Sequence, residues 1–484
     1  MRTKLLSFFF LFLSCSACSL SRAAGEGFSA FPLKIEGRII DYMIVDVNGD
    51  ARNDVVALST SRGKTLLSLF LQDYSPFHYD ADQQFPLTPD VVGVDVNALS
   101  GQSTKDLCLL TESGLKLIPF VRGRFVPEKA RIVLSLNYHA PDESYRPIFL
   151  PMYFRIAASG KSMLIIPQEN EFTIYQQDRA GKFSATASLN GSARLPLFAP
   201  LLREENKEQK NEDGIFLSDL NKDGKLDLSS LHSRGCTYYL QNEDGSFGSK
   251  PSAAITFIED QSSQVLRMAD CNGDALPDLF FLQESKTNFL SNKKTTISLF
   301  LGAKGEEQTV TYKSQPDHQW SFTGVHIFPD VVDYDSDGNV DLIVTKATYN
   351  LGNFVSALIG GKTKLQIEFY RCGKNEFHDS PDMIRETVLP GKIYDEVEMS
   401  PLVAFGDVTG DGRKDFILGE ESAIFTYAGA ANKSFESIGA GETPLRQALF
   451  DDVQFHRINS DAKEDMCVIE RKQQHSMLVV YIAR

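Results

Sequence analysis

An all-β fold, a single propeller of eight blades with four antiparallel strands each, is what this sequence predicts, on three observations. A nine-residue acidic pattern, Asp-x-Asn/Asp-x-Asp-x-x-x-Asp between apolar runs, recurs along the chain. A polar or glycine-rich turn ending in Phe follows most copies, about 30 residues later. The 484 residues include 34 Phe, 16 Tyr and 34 Gly but one Trp, a mixture that favours strands and turns over long helices. Long repeats, each with room for four short strands, are the signature of propeller blades.

The chain opens on a segment outside that pattern. Arg2 and Lys4 precede the apolar run Leu5–Leu13 and small residues follow it, the three parts of a secretory signal. Such a run is too short to span a bilayer, which takes about 20 helical residues. No later stretch is long and apolar enough either, so the expectation is an exported protein without a transmembrane segment. Ser16-Ala17-Cys18 resembles the end of a bacterial lipobox, with Cys15 where Leu is usual. Two processing outcomes follow: acylation of Cys18, a lipid anchor, or cleavage near Ala23 or Ala24. Ser19 after the cysteine would, by the same resemblance, send a Gram-negative lipoprotein to the outer membrane. Residues 1–24 are thus read as signal, 28–484 as the propeller, and the location as periplasm or cell surface.

The repeats then follow in order. Full copies are Asp46–Asp54, Asp219–Asp227, Asp270–Asp278, Asp333–Asp341 and, with Thr409 at the third position, Asp407–Asp415. Weaker relatives are Asp95-Val-Asn97 with an insertion before Lys105-Asp106, and Arg457–Asp465, which has lost the first acid but keeps Asn459 and Asp461. The Phe turns end at Phe77, Phe125, Phe183, Phe247, Phe377 and Phe435. Counting back from Phe183 reaches Phe154–Ser162, a unit with apolar flanks and no acids. With it, units start near 46, 95, 154, 219, 270, 333, 407 and 457 and the ring has eight blades; a Phe154–Ser162 stretch outside the ring would leave seven. In the fifth unit the Gly302–Gly305 turn replaces the Phe. In the first, strands are expected at Tyr42–Val45, Val55–Leu58 and Leu66–Phe70. The eighth unit has room for Met466–Ile469 and Met477–Ala483 but no fourth strand, and N-terminal Phe31–Ile35 is expected to supply it, which removes open sheet edges.

The acidic loops with their apolar flanks and Gly-Phe turns resemble the FG-GAP/VCBS repeat family, over essentially all of 28–484. That resemblance implies a β-propeller of the kind found in the integrin α-chain head, bacterial surface proteins, some lectins and some polysaccharide-degrading enzymes. It does not by itself imply one activity.

The loops offer hard oxygen ligands at positions 1, 3, 5 and 9 and a backbone carbonyl at 7, which suits calcium with six to eight oxygens. The candidate ligands are Asp46, Asn48, Asp50, Arg52 and Asp54; Asp219, Asn221, Asp223, Lys225 and Asp227; Asp270, Asn272, Asp274, Leu276 and Asp278; Asp333, Asp335, Asp337, Asn339 and Asp341; and Asp407, Thr409, Asp411, Arg413 and Asp415. Nitrogen and sulfur ligands are absent from them, which disfavours zinc or copper. An EF-hand needs an acid at position 12, where this chain has Ala57, Ser230, Phe281, Val344 and Leu418. The bland reading is an Asx-rich turn with no ion, in which the sixteen aspartates of the five loops would repel one another uncompensated. About five structural calcium ions are expected, with the 95–106 and 459–465 loops open.

A net charge of −15 excludes nucleic acid as a natural partner. The five downstream cysteines form neither a CxxC pair nor an even framework. No HExxH, GxSxG or phosphate-cradling glycine loop is present, so no catalytic residue is assigned. His139, His318 and His326 lie in longer connections where a base could stand, and the long sixth unit carries Tyr349, Asn350, Asn353 and Phe354, able to stack on or hydrogen-bond a sugar. Two functions are therefore in play: a non-enzymatic scaffold binding carbohydrate or an envelope protein, and a polysaccharide lyase or hydrolase on the same ring. Clustering of His139, His318 or His326 with Tyr and Arg in the central funnel would favour the enzyme, and scattered positions the binder.

Overall fold

The computed structural model describes residues 28–484 except 73–76, 100–102, 137, 139–146, 151, 156–161, 168–170, 179–180, 191–213, 222, 226, 233–234, 257–262, 285–292, 306–309, 325, 348–361, 374–375, 391–402, 421–422, 431–434, 438–442, 445–449 and 473–474. Cys18 and the rest of 1–24, His139, and Tyr349 to Phe354 lie outside the described residues.

Eight antiparallel sheets form an eight-bladed propeller, most blades having four strands. Blade 1 runs Arg38–Val45, Asp54–Ser61, Lys64–Phe70 and Gln83–Pro86 from the inside outward. Blades 2 to 7 repeat the plan from innermost strands Val91–Asn97, Tyr153–Arg155, Gly214–Ser218, Ser263–Ala269, His326–Val332 and Val403–Gly406. Blade 3 contains Tyr153–Arg155 and Ser162–Pro167, so the acid-free unit is a true blade and the count is eight. Among the described residues the only helical turn is the short Pro127–Lys129.

Burial explains the strand chemistry. Second strands lie between two neighbouring blades and are apolar on both faces: Asp106–Thr111 is buried at every residue, and Asp54–Ser61 at its first six. Outermost strands face solvent on one side and alternate, as Gln83–Pro86 and Met383–Val388 do. Consecutive junctions have their own cores, for example Phe280, Trp320, Leu342 and Tyr370 between blades 5 and 6, and Ile343, Phe369, Phe416 and Phe435 between blades 6 and 7. Inner strands approach so closely that a Cβ on Gly406 would stand 2.3 Å from the Phe455 ring of blade 8.

The ring closes as a joint blade. Phe28–Leu33 pairs antiparallel with His475–Ala483, from Phe28↔Ala483 to Leu33↔Leu478, and Phe28 meets Tyr481 edge to face. The closing strand is three residues earlier than Phe31–Ile35 because Lys34 already bonds to Tyr79 O at 2.8 Å, which turns the chain toward blade 1.

A second lock sits between blades 2 and 3. Ile148–Phe149 pairs in parallel with the innermost strand of blade 2, Ile148 opposite Gly93, and Leu150 N–H donates to Val94 O at 2.7 Å. The Phe turns are clasps between blades. Gln83 of blade 1 donates to Phe125 O and accepts Phe125 N–H, both at 2.9 Å. Trp320 of blade 5 donates to His378 O at 2.9 Å, and Arg385 of blade 6 to Phe435 O at 2.9 Å.

Candidate metal centres

Each acidic loop joins the first strand of a blade to its second, and its residues divide into two jobs. Position 9 opens the second strand and is buried, with Asp54, Asp227, Asp278, Asp341, Asp415 and Asp465 all fully so. Its two oxygens accept two backbone N–H groups. In blade 1 Asp54 takes Val47 N–H of its own loop and Gln72 N–H beyond the third strand, both at 2.8 Å. The pairs recur as Leu220 and Gln241 on Asp227, Cys271 and Gly302 on Asp278, Tyr334 and Cys372 on Asp341, Thr409 and Gly429 on Asp415, and Ile458 and Ala483 on Asp465. The last aspartate thus staples the loop to the blade.

Positions 1, 3 and 5 shape the loop itself. Asp46 accepts Gly49 N–H at 2.7 Å and Ala51 N–H at 3.0 Å, and Asp270 and Asp407 repeat this with Gly273 and Ala275, and Gly410 and Gly412. Asp219 and Asp333 accept from positions 5 and 6, Asp223 and Gly224, and Asp337 and Gly338. Asn48, Asn221, Asn272 and Asp335 accept the N–H of position 5. Position 5 accepts from position 7 in every copy, at 2.9 Å from Arg52, Lys225, Leu276, Asn339 and Arg413. The tight winding puts positions 4 and 6 in the left-handed region, where glycine is favoured. Gly49 and Gly338 fill it freely, while Ala51, Ala275 and Ser336 are held there with φ of 67°, 64° and 58°.

The acids converge. In blade 6, carboxylate oxygens of Asp333, Asp335 and Asp341 all lie within 4.8 Å of one another. That spacing is about twice a Ca–O bond of roughly 2.4 Å, so one calcium can touch all three, and an all-oxygen donor set fits that ion. Burial, reinforced by neighbouring carboxylates, pushes Asp54, Asp227, Asp278 and Asp465 up to about 6 and Asp341 up to about 8, against the opposing pull of their backbone hydrogen bonds. Asp333 and Asp415 are raised for the same reason. Crowded carboxylates desolvated to this degree are groups whose charge a cation would stabilise.

Side chains of the protein already supply part of that charge. Arg371 Nε lies 2.8 Å from Asp335 Oδ2, and Lys225 and Arg413, at position 7, reach back to Asp223 and Asp411 at 2.9 and 2.8 Å. Arg371 lies 36 residues from its acid, beyond the reach of a local motif.

The loops also hold one another. Lys105 N–H, just before Asp106 of blade 2, donates to Val47 O of blade 1 at 2.8 Å, and Asn53 of blade 1 donates to Ile458 O of blade 8 at 3.1 Å. Glu464 N–H of blade 8 donates to Asp407 O of blade 7 at 2.7 Å, and Lys414 N–H of blade 7 donates to Ser336 Oγ of blade 6 at 2.8 Å. Sequence spacing alone carries no signal for these contacts.

The degenerate loops differ from the motif. Asp95 is a buried residue of the innermost strand of blade 2, where it accepts Met152 N–H at 3.0 Å, rather than the first member of a loop. In blade 8, Asn459 and Asp461 keep the usual turn bonds although Arg457 stands at position 1.

Of the three candidate histidines, His139 lies outside the described residues, and the other two stand apart. His318 opens the outermost strand of blade 5, packed against the Trp320 ring at 4.4 Å with Nε2 3.4 Å from Asp379. His326 opens the innermost strand of blade 6, on the far side of the seven-residue strand His318–Gly324, roughly 20 Å away at about 3.3 Å per residue.

Residues 219–281, from the acidic loop of blade 4 into the second strand of blade 5, match the FG-GAP-like repeat family model. Among curated proteins, none matches this sequence. Similar solved structures include an Agrocybe aegerita lectin that recognises non-reducing terminal N-acetylglucosamine, at 13% identity over 75% of this chain and 90% of that one, with a TM-score of 0.36. A chain of a BBS1N–ARL6DN complex is 10% identical over 96% and 98%, with a TM-score of 0.38. A Lactobacillus plantarum protein is 11% identical over 70% and 86%, with a TM-score of 0.34. Likeness at this level says nothing of what the chain binds. No described helix is long and apolar enough to cross a membrane.

Proposed function

We propose that this FG-GAP-repeat propeller is an exported, calcium-stabilised binding or adhesion scaffold of the bacterial cell envelope, whose partner is a carbohydrate or an envelope protein. In this reading residues 1–24 carry the secretory signal, cut either before Cys18, which is then acylated as the anchor of an outer-membrane lipoprotein, or near Ala23 or Ala24. The observation that carries the metal is the convergence of Asp333, Asp335 and Asp341 to within 4.8 Å, in a loop whose pattern four other blades share. The ions tie the first strand of a blade to its second, and binding to the folded ring alone stabilises it by mass action. A scaffold is favoured over an enzyme because described blade strands recur from Phe28 to Ala483, and because His318 stands on the outermost strand of blade 5 and His326 on the innermost strand of blade 6.

Two experiments test the reading. Elemental analysis of the purified chain after dialysis against calcium should find several tightly held ions, and none would remove the metal. Electrophoresis through gels containing acidic or neutral polysaccharides, with calcium or chelator, should show retardation without clearing. Cleared zones would replace the scaffold with a polysaccharide-degrading enzyme.

A further inference from the structure

The acidic loop of blade 8 has lost its first acid to Arg457, yet it is bonded to the loops on both of its flanks. Its Glu464 grips the peptide of Asp407, the first acid of blade 7, from both sides. Glu464 N–H donates to Asp407 O at 2.7 Å, and Glu464 Oε2 accepts Asp407 N–H at 2.8 Å. The same Oε2 accepts Lys414 Nζ of blade 7 at 2.8 Å, and Lys414 N–H is fixed on Ser336 of blade 6. On its other flank, the carbonyls of Arg457 and Ile458 accept the side-chain and backbone N–H groups of Asn53 in blade 1.

We infer that Glu464 is a positioning residue for the cation site of blade 7, and that the blade 8 loop serves as a coupler between the metal loops of blades 7 and 1 across the ring closure. This rests on the calcium reading above. Asp407 turns its loop by accepting Gly410, Asp411 and Gly412 N–H groups, so the placement of its carboxylate depends on where its own peptide is anchored. Glu464 is that anchor, and it belongs to a different blade. A loop of this kind keeps its shape while losing its own first ligand, because its acid at position 8 works for its neighbour.

The test is calcium-45 equilibrium dialysis of the full chain, with heat denaturation in chelator as the check on folding. Glu464→Ala should weaken one ion at least tenfold and leave the others unchanged. Asp407→Ala should lose that same ion, so the double variant should lose one ion and not two. Glu464→Gln, whose side-chain oxygen still accepts Asp407 N–H, should retain the ion. If Glu464→Ala fails to fold, Glu464→Asp, one methylene short of Asp407, should show the same single loss. Full calcium binding in the folded Ala or Asp variant, or loss of two ions in the double variant, overturns the inference while leaving calcium binding intact. A wild-type chain that holds no calcium removes both.

Discussion

The buried carboxylate of Asp41, on the innermost strand of blade 1, accepts the N–H of Phe149, 108 residues further on, at 2.9 Å. Its other oxygen accepts Tyr42 N–H at 2.8 Å. Together with Asp95 on Met152 N–H, it ties the strand that enters blade 3 to the inner walls of blades 1 and 2. Replacing Asp41 by Ala should leave two buried N–H groups without this acceptor, at roughly 1–3 kcal/mol each. The denaturation midpoint in urea should fall accordingly, and a midpoint unchanged within error would show that the contact carries no stability.

Within one loop, positions 5 and 9 should behave differently. Asp278→Ala removes the acceptor of Cys271 and Gly302 N–H and should destabilise the chain in chelator by about 2–4 kcal/mol. Asp274→Ala, on an exposed turn, should cost about 1 kcal/mol or less in chelator and show its larger effect only when calcium is present. Equal losses for the two variants in chelator would count against the division into staple and ligand.

Calcium and protons should compete. Asp54, Asp227, Asp278 and Asp465, pushed up to about 6, and Asp341, pushed up to about 8, hold protons in the folded chain where an unfolded aspartate, near 4, has lost them. For a raised pKa the stabilising contribution is complete below the unfolded value and is lost as pH rises through the folded one. A calcium-free ring therefore loses this contribution between about pH 4 and 8, and a bound ion would replace it. His318 and His456, both pulled down by burial, oppose the trend below about 6.5 with or without calcium, so the difference between the two conditions is the readout. The rise in melting temperature on adding calcium should be largest at pH 8 and shrink toward pH 5.5; a rise independent of pH would mean that these carboxyls do not meet the ion.

Deleting Phe28–Leu33 should expose the His475–Ala483 edge, six backbone partners long. Light scattering on a size-exclusion column should then find dimers or larger species where the intact chain gives one. A shortened chain with the hydrodynamic size of the intact one would mean that another segment covers the edge.

Local features were legible in the sequence and distant partnerships were not. The Asp333–Asp341 loop was readable because its acids lie within nine residues, and the acid-free blade of Phe154 because its apolar strands keep the spacing of the rest. The joint blade was foreseeable from a missing strand, although its register shifts to Phe28–Leu33 because Lys34 is drawn to Tyr79. Asp95 misled because an Asp-x-Asn triplet marks a loop only when it follows the strand, and here it lies inside one. Arg371 on Asp335, Glu464 on Asp407 and Asp41 on Phe149 join residues 36 to 108 positions apart. No periodicity encodes such pairs; they follow from stacking one blade against the next.

The pairing of Phe28 with Ala483 spans nearly the whole chain, and it orders events in time. Blades 1 to 7 each draw their strands from a contiguous stretch and can assemble from near neighbours, but the eighth waits for a partner 455 positions away. Loop-closure entropy on that scale predicts that this pairing forms late and slowly. A chain in which this pairing came last would hold seven blades as an open arc with an unpaired strand at one end, and the lifetime of such an arc would set how long the newly made chain needs protection from its own kind.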